Sequence, residues 1–385
     1  MRLAFNGETA LGRPYPTNPA VALDLLERDL ALVASGARGA ARHLMDEAPN
    51  VARAFDAERS SWTPELTMWD GVVSLAACGD AVTGLRLQGR EVSASEIEAL
   101  GACPYRHFLR VGLRLRPWEE PERTYALDRR DVGSIMHAVL EQLFSELKTK
   151  ERLPLKQDTL DGAKRRAAKL LDAEFASITG AGGVVHPALV SALRDQVCAD
   201  LEDFLEREVA DADGFVADSF ELPFEKLPFE FAPGRSLMFK GYMDRLDVAT
   251  RPKRVRVIDY KGGKYVWQDE DQFKGGRNVQ LAIYVLAAAS AYPGYQVTES
   301  RYYYNTAVGR FRVKRVEGSD AAKNTLKEVL TALDDTVAKG VFAPVADDCN
   351  FCDYQAICGP HRVPRAARKK GDPRLAAFYR MRQIT

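Results

Sequence analysis

The stretch 236–264, SLMFKGYMDRLDVATRPKRVRVIDYKGGK, decides how this chain is read. Apolar residues recur at a period of two, first in SLMFKGYMDRLDVA and again in RVRVIDYK, and predict two strands joined at TRPK. Side chains alternate across a strand, so Val255, Val257, Asp259 and Lys261 share one face while Arg254, Arg256 and Ile258 share the other. By the same rule Tyr242, Asp244, Leu246 and Val248 lie together on the preceding strand. Asp244 and Asp259 are equally far from the Arg251-Pro252 pair, so an antiparallel hairpin without a bulge sets them directly opposite, roughly 5 Å apart at Cβ. Opposed carboxylates repel. A divalent cation with hard oxygen ligands compensates them economically, with Lys261 two residues along to assist; two exposed hairpin acids and a salt-bridging lysine fit the same spacing. The glycines of KGGK do not make a phosphate loop, because Lys264 is followed by Tyr265 and no glycine opens the motif.

Working outward, the flanks are mixed. Residues 19–58 are Ala- and Leu-rich with helical spacing and predict two or three helices, and 62–92 read as a weakly patterned connector that sets a boundary. A helix opens at SASEIEALGACPYRHFLR, where Ser93/Glu96 and Ser95/Glu98 both have capping-box spacing. Another runs through DVGSIMHAVLEQLFSELK, and two more fall between 156 and 209. After the hairpin come a helix at NVQLAIYVLAAAS, strands at TESRYYYNTA and RFRVKRVE, and a helix over 319–339. The expected organisation is a helical extension (1–92) and an α/β domain (93–385) whose central mixed sheet is flanked by helices.

Composition narrows the class. The 385 residues carry 54 Lys and Arg against 54 Asp and Glu, which argues against a uniformly basic coat, and no apolar run approaches the ~20 residues needed to span a bilayer. No signal-peptide h-region is present at the start, and the chain reads as cytoplasmic. The segment Arg362–Arg382 has eight Lys or Arg and only Asp372 as an acid, the pattern of a solvated basic tail. Six cysteines in such a chain are not expected as disulfides. DDCNFCDYQAICGP spaces Cys349, Cys352 and Cys358 as C-x2-C-x5-C, and Cys103, in Cys-Pro at a helix bend, is the best fourth thiolate. Four thiolates suit tetrahedral zinc or a [4Fe-4S] cluster; Cys78 and Cys198 read as ordinary thiols.

Six pieces in order, SASEIEALGACPYRHFLR, GSIMHAVLE, GYMDRLD, VIDYKGGK, QLAIY and CNFCDYQAIC, resemble the C-terminal nuclease domain of AddB-type helicase-nuclease subunits, in the RecB-like branch of the PD-(D/E)XK superfamily. The resemblance runs from about Ser93 to Pro360. It implies that His137, Asp244, Asp259 and the Tyr260 carbonyl ligate a catalytic Mg²⁺ or Mn²⁺, that Lys261 orients or activates the attacking water, and that Gln280 and Tyr284 support the scissile strand. It further implies a [4Fe-4S] cluster on Cys103, Cys349, Cys352 and Cys358, DNA as substrate with the 5′-ended strand cut, and a helicase motor in a partner subunit or in an absent N-terminal region, since no motor motif is present. Two rival readings share these residues: a stand-alone nuclease similar to CRISPR-adaptation enzymes, and an inactive scaffold of the same fold. The leader and the helical insertion between 150 and 210 favour the AddB-like reading.

Overall fold

The computed structural model describes residues 19–385 apart from 23–24, 38, 40–41, 44–45, 47–48, 118–128, 181–185, 212, 269–270, 346 and 348. Helices α1 (Leu25–Ala34), α2 (Pro49–Ser61) and α3 (Leu75–Thr83) precede a short strand, β1 (Glu91–Ser93), which runs directly into α4 (Ala94–Ala102) and the one-turn α5 (Pro104–His107). Long helices α6 (Arg129–Thr149), α7 (Gln157–Gly180) and α8 (Pro187–Ala210) follow, then strands β2 (Val216–Ala232), β3 (Arg235–Thr250) and β4 (Lys253–Lys261). The chain continues through α9 (Gln280–Ala291), β5 (Gln296–Tyr304), β6 (Val313–Glu317) and α10 (Asp320–Ala338), and then α11 (Gln355–Cys358), α12 (Arg362–Lys369) and α13 (Ala376–Met381).

The sheet is mixed, and β3 is its spine. One side of β3 is paired along its length by antiparallel β2; the other side takes parallel β1 at Met238–Lys240 and antiparallel β4 at Arg245–Thr250. Strand β5 then runs parallel to β4, and β6 antiparallel to β5. The hairpin has the register its spacing requires: Thr250 pairs with Lys253 and Arg245 with Ile258, with no slip between.

Strand β2 is missing from the sequence reading. Its ELPFEKLPFEF run alternates, but Pro223 and Pro228 count against a strand, and register shifts interrupt it at 217/219 and 224/227. Prolines are tolerated because β2 pairs with β3 alone and so lies at a sheet edge. The connector over 62–92 also carries more structure than expected, including α3 and a turn at Met68–Asp70 closed by reciprocal Thr67–Asp70 capping.

Both sheet faces are covered. Tyr302 and Tyr304 pack in one cluster with Leu281 and Ile283 of α9 and Leu326, Leu330 and Leu333 of α10, while Tyr303 faces the cluster formed by α6, α7 and α8. Val82, Leu87 and Val92 join the first cluster, so the polypeptide before α4 shares that core. The basic tail is docked rather than solvated. The Lys369 ammonium is buried, 2.9 Å from Asp70 Oδ2, and donates to the Ser60 and Glu65 carbonyls, while the Arg365 and Arg368 guanidiniums lie 5.6 and 5.4 Å from the Trp62 ring.

A buried ionic layer lies between the sheet and the α6–α8 helices. Arg245 is ion-paired with Asp247 at 2.5 Å and with Glu208 at 2.8 Å, and Arg256 reaches the same Asp247 at 2.9 Å. Burial alone would raise the Asp247 carboxyl, yet the Arg245 and Arg256 guanidiniums hold it below its usual range. Asp247→Ala should therefore remove the carboxylate that two buried guanidiniums share, leaving Arg245 only Glu208 and Arg256 only Asp213, and destabilise the domain by about 3 kcal/mol in equilibrium denaturant unfolding. A loss below ~1 kcal/mol would mean that the layer is not what holds β3, β4 and α8 together.

Candidate active site

The site lies where β3 and β4 end beside α6 and α9. Continuing the register from Arg245↔Ile258 brings Asp244 opposite Asp259, as the spacing required. On the other side of β3, Phe220↔Arg245 and Leu222↔Met243 bracket Glu221 and set it opposite Asp244. Three carboxylates on three neighbouring strands thus stand in one row. Glu221 has φ +44, an uncommon conformation for a side chain larger than glycine.

Helix α6 brings His137 to the middle of that row. Its Nε2 donates to the Tyr260 carbonyl at 3.0 Å, and its Nδ1 lies 3.3 Å from Asp244 Oδ2 and 3.9 Å from Glu221 Oε1. Ligand atoms of His137, Glu221 and Asp244 all fall within 4.8 Å of one another. Burial, then the Asp259 charge, pushes the Asp244 carboxyl up. Burial alone would lower His137, but the neighbouring Glu221 and Asp244 outweigh it and raise the imidazole. Excess negative charge is concentrated here. Beside the group opens a cleft of ≈ 710 Å³ lined by Ser134, His137, Glu141, Glu221 and Tyr242.

The second half of the site is a hydrogen-bonded set on the Val255/Val257 face. The Lys261 ammonium lies 2.6 Å from Asp259 Oδ2 and donates to Gln280 Oε1 at 3.4 Å. Gln280 Nε2 donates to Asp259 Oδ1 at 3.0 Å, and the Tyr284 hydroxyl donates to the same oxygen at 3.3 Å. Asp259 is almost fully buried, and its Oδ2 accepts no aligned hydrogen bond despite the nearby Lys261 charge. A buried carboxylate oxygen met only by one ammonium, beside a histidine, two more carboxylates and a backbone carbonyl, belongs to a donor set that fits a hard divalent cation. All of His137, Asp244, Asp259, Tyr260, Lys261, Gln280 and Tyr284 converge at this one end of the sheet.

Two residues escaped the sequence reading. Glu221 was lost with β2, whose alternation was the available signal. The spacing pairs Glu98 with Ser95 in a capping box, but its carboxylate instead accepts the Val279 and Gln280 N–H groups at 2.9 and 3.1 Å, so it caps the start of α9 and orients Gln280. Burial pushes its carboxyl up to about 7, with those two hydrogen bonds opposing. The Ser93 cap is present as expected, with Oγ accepting from Glu96 N at 3.3 Å, although the Glu96 carboxylate turns to Arg90 at 2.8 Å.

The cysteines also converge. Cys103 breaks α4 from α5 in extended backbone, and its Sγ accepts the Val345 N–H at 3.4 Å. Cys103, Cys349, Cys352 and Cys358 line one cavity of ≈ 30 Å³, and burial followed by the three neighbouring thiols pushes Cys358 up to about 12. Thiols that raise one another in a shared cavity form a donor set for a soft or borderline metal centre. Cys78 is exposed and Cys198 lies in α8, both away from the cavity.

The chain is 28% identical over 313 residues to an ATP-dependent helicase/deoxyribonuclease subunit of Moorella thermoacetica, covering 76% of this chain and 26% of that protein. It is 31% identical over 210 residues to the protein of the same name from Symbiobacterium thermophilum, covering 51% and 17%. The chain therefore spans about a quarter or less of the relatives it matches. Residues 91–359, which run from the first strand of the sheet through the last of the four clustered cysteines, match the PD-(D/E)XK nuclease superfamily, and the chain belongs to that superfamily.

Proposed function

We propose that this domain is a divalent-metal-dependent DNA nuclease that hydrolyses phosphodiesters of single-stranded or unwound DNA ends, acting within a helicase-nuclease during double-strand-break processing. The observation that carries the reading is the row Glu221–Asp244–Asp259 with His137 at its centre and Lys261 beside it. The name shared by the relatives supports the helicase-nuclease context. Among the described residues no helix is long and apolar enough to cross a membrane.

A phosphodiester resists hydrolysis because its charge repels an incoming nucleophile and its leaving alkoxide is poor. A bound Mg²⁺ or Mn²⁺ supplies Lewis-acid charge neutralisation at the phosphate and acidifies water. His137, Asp244, Asp259 and the Tyr260 carbonyl would hold it, with Glu221 as a further carboxylate. Lys261 points its ammonium into the same space and donates to the attacking water or to a phosphate oxygen. Gln280 and Tyr284 fix the Asp259 carboxylate by two hydrogen bonds, and Glu98 holds Gln280 in place from the helix start. The four cysteines would hold a [4Fe-4S] cluster with a structural role, since hydrolysis moves no electrons.

Asp259→Ala and Lys261→Ala should each lower cleavage of end-labelled single-stranded DNA by at least about 10²–10³-fold. The melting temperature should be unchanged or slightly raised in Asp259→Ala, which relieves the crowded carboxylates, and lowered in Lys261→Ala, which takes the ammonium from a buried carboxylate. Wild-type turnover in either variant at saturating Mg²⁺ would remove the β4 end from the reaction. Glu221→Gln should shift the metal concentration for half-maximal cleavage upward by about 10-fold or more while leaving folding intact. An unchanged titration would exclude it as a ligand. For the cysteines, anaerobic purification with metal analysis is decisive: the proposal expects iron and little zinc, with the brown colour and soluble yield lost in Cys103→Ser and Cys358→Ser and retained in Cys78→Ser. Stoichiometric zinc without iron would replace the cluster by a zinc clasp.

A further inference from the structure

The Gly-Gly-Lys that follows the site is left unused by the hydrolytic machinery, and its surroundings are built around positive charge. The Gly262 carbonyl accepts the Thr306 hydroxyl at 3.2 Å, which ties the loop after β4 to the turn between β5 and β6. Close approach is possible because residue 309 is glycine: a Cβ there would come within 2.9 Å of the Gly263 carbonyl oxygen and 2.6 Å of Tyr304 Cβ. The turn is itself held rigidly, by Gly309 N–H on Thr306 Oγ1 at 3.1 Å and by Ala307 N–H on the Asp200 carboxylate of α8 at 2.8 Å. Docking the two loops leaves a cavity of ≈ 100 Å³ lined by Lys264, Tyr265, Val308, Arg310 and Arg312.

Three cations from two loops meet at this cavity. Lys264, Arg310 and Arg312 are exposed, and none of them makes an ion pair among the described residues. Their charge is free to meet an anion, since no carboxylate of the described residues occupies it. Arg312 is further positioned by stacking, with its guanidinium 4.3 Å from the centre of the Tyr265 ring, which in turn meets Tyr304 edge-on at 5.2 Å. The cavity is close to the chemistry. Lys261 pairs with Tyr304, and Tyr304 N–H donates to the Arg312 carbonyl, so Arg312 stands two strand spacings, roughly 10 Å, from Lys261.

We propose that Lys264, Arg310 and Arg312 form a phosphate subsite that grips the substrate strand beside the scissile bond. The inference rests on the nuclease reading above and adds to it where the rest of the strand lies. The space suits one phosphate group and not a base pair, and the guanidiniums offer fork-shaped donors to its oxygens. Binding through such contacts is independent of base sequence and falls with salt.

The test uses the whole chain and a 5′-fluorescein oligothymidylate. Steady-state cleavage with Mg²⁺ gives kcat and KM, and anisotropy titrations across a salt series with no divalent ion added give the salt slope. In the Lys264→Gln/Arg310→Gln/Arg312→Gln variant, KM should rise about tenfold or more with a much smaller change in kcat, and the slope should become shallower by about 0.7 per phosphate released. The swap Lys264→Arg/Arg310→Lys/Arg312→Lys keeps the charge and should recover most of the lost affinity, which a folding defect would not do. Neutralising Lys156, Arg165 and Lys169 on the helical insertion removes the same charge elsewhere and should leave KM near wild type. If wild type cleaves and the Gln triple matches its KM and slope, or if the insertion triple is equally impaired, the subsite is wrong. If wild type neither binds nor cleaves the oligonucleotide, the nuclease reading itself is overturned.

Discussion

Everything at the candidate site depends on the unslipped pairing of β3 with β4. Because Arg245 faces Ile258, Asp244 must face Asp259, and the same strand presents Asp244 to Glu221 of β2 on its other side. A single-residue slip would send one of these acids to the opposite face and dissolve the row. Three carboxylates so close are unfavourable alone. The protein surrounds them with His137, Lys261, Gln280 and Tyr284, and still sets three carboxylates against one ammonium and one imidazole. That residual imbalance is the physical argument for a cation.

The opposite face of the same strands explains why the register holds. Arg245 and Asp247 alternate with Asp244 and Leu246, so stepping one residue along β3 crosses from the row of acids to a satisfied ionic layer under α8. A shift in register would separate Arg256 from Asp247 and strand buried charges, so the layer penalises the wrong alignment more than it rewards the right one. Stability and chemistry are therefore written on alternate residues of one strand. The α6–α8 helices serve both, since α6 supplies His137 while α8 supplies Glu208 to the ionic layer and Asp200 to the β5–β6 turn.

Helix α4 links the two candidate metal centres. Glu98 on α4 holds the first N–H groups of α9, and so the position of Gln280; five residues later Cys103 ends the same helix at the cysteine cavity. The cysteines from the far end of the domain thus meet, at one cavity, the end of the helix that holds Gln280. The docked tail extends this closure, because Lys369 and Asp372 bond the chain around 60–70, which lies ahead of the sheet.

Much of this was legible in sequence, for a local reason. Alternation and equal spacing about Arg251-Pro252 determine which residues share a face and which oppose, so Asp244, Asp259 and Lys261 could be placed from numbering alone. The spacing of Cys349, Cys352 and Cys358 was legible in the same way, with Cys103 as the candidate fourth thiolate, and His137, Gln280 and Tyr284 were named from resemblance. What numbering could not supply were partners that are close only in the folded chain. Glu221 sits on an edge strand whose prolines disguise it, and Glu98 serves a helix start about 180 residues away rather than its own. Lys264 meets Arg310 and Arg312 only because Gly309 lets two loops touch. Period and spacing are properties of the backbone within a strand or helix and are therefore written in the sequence, whereas electrostatic neighbourhoods arise between elements and exist only once tertiary packing has chosen which faces meet.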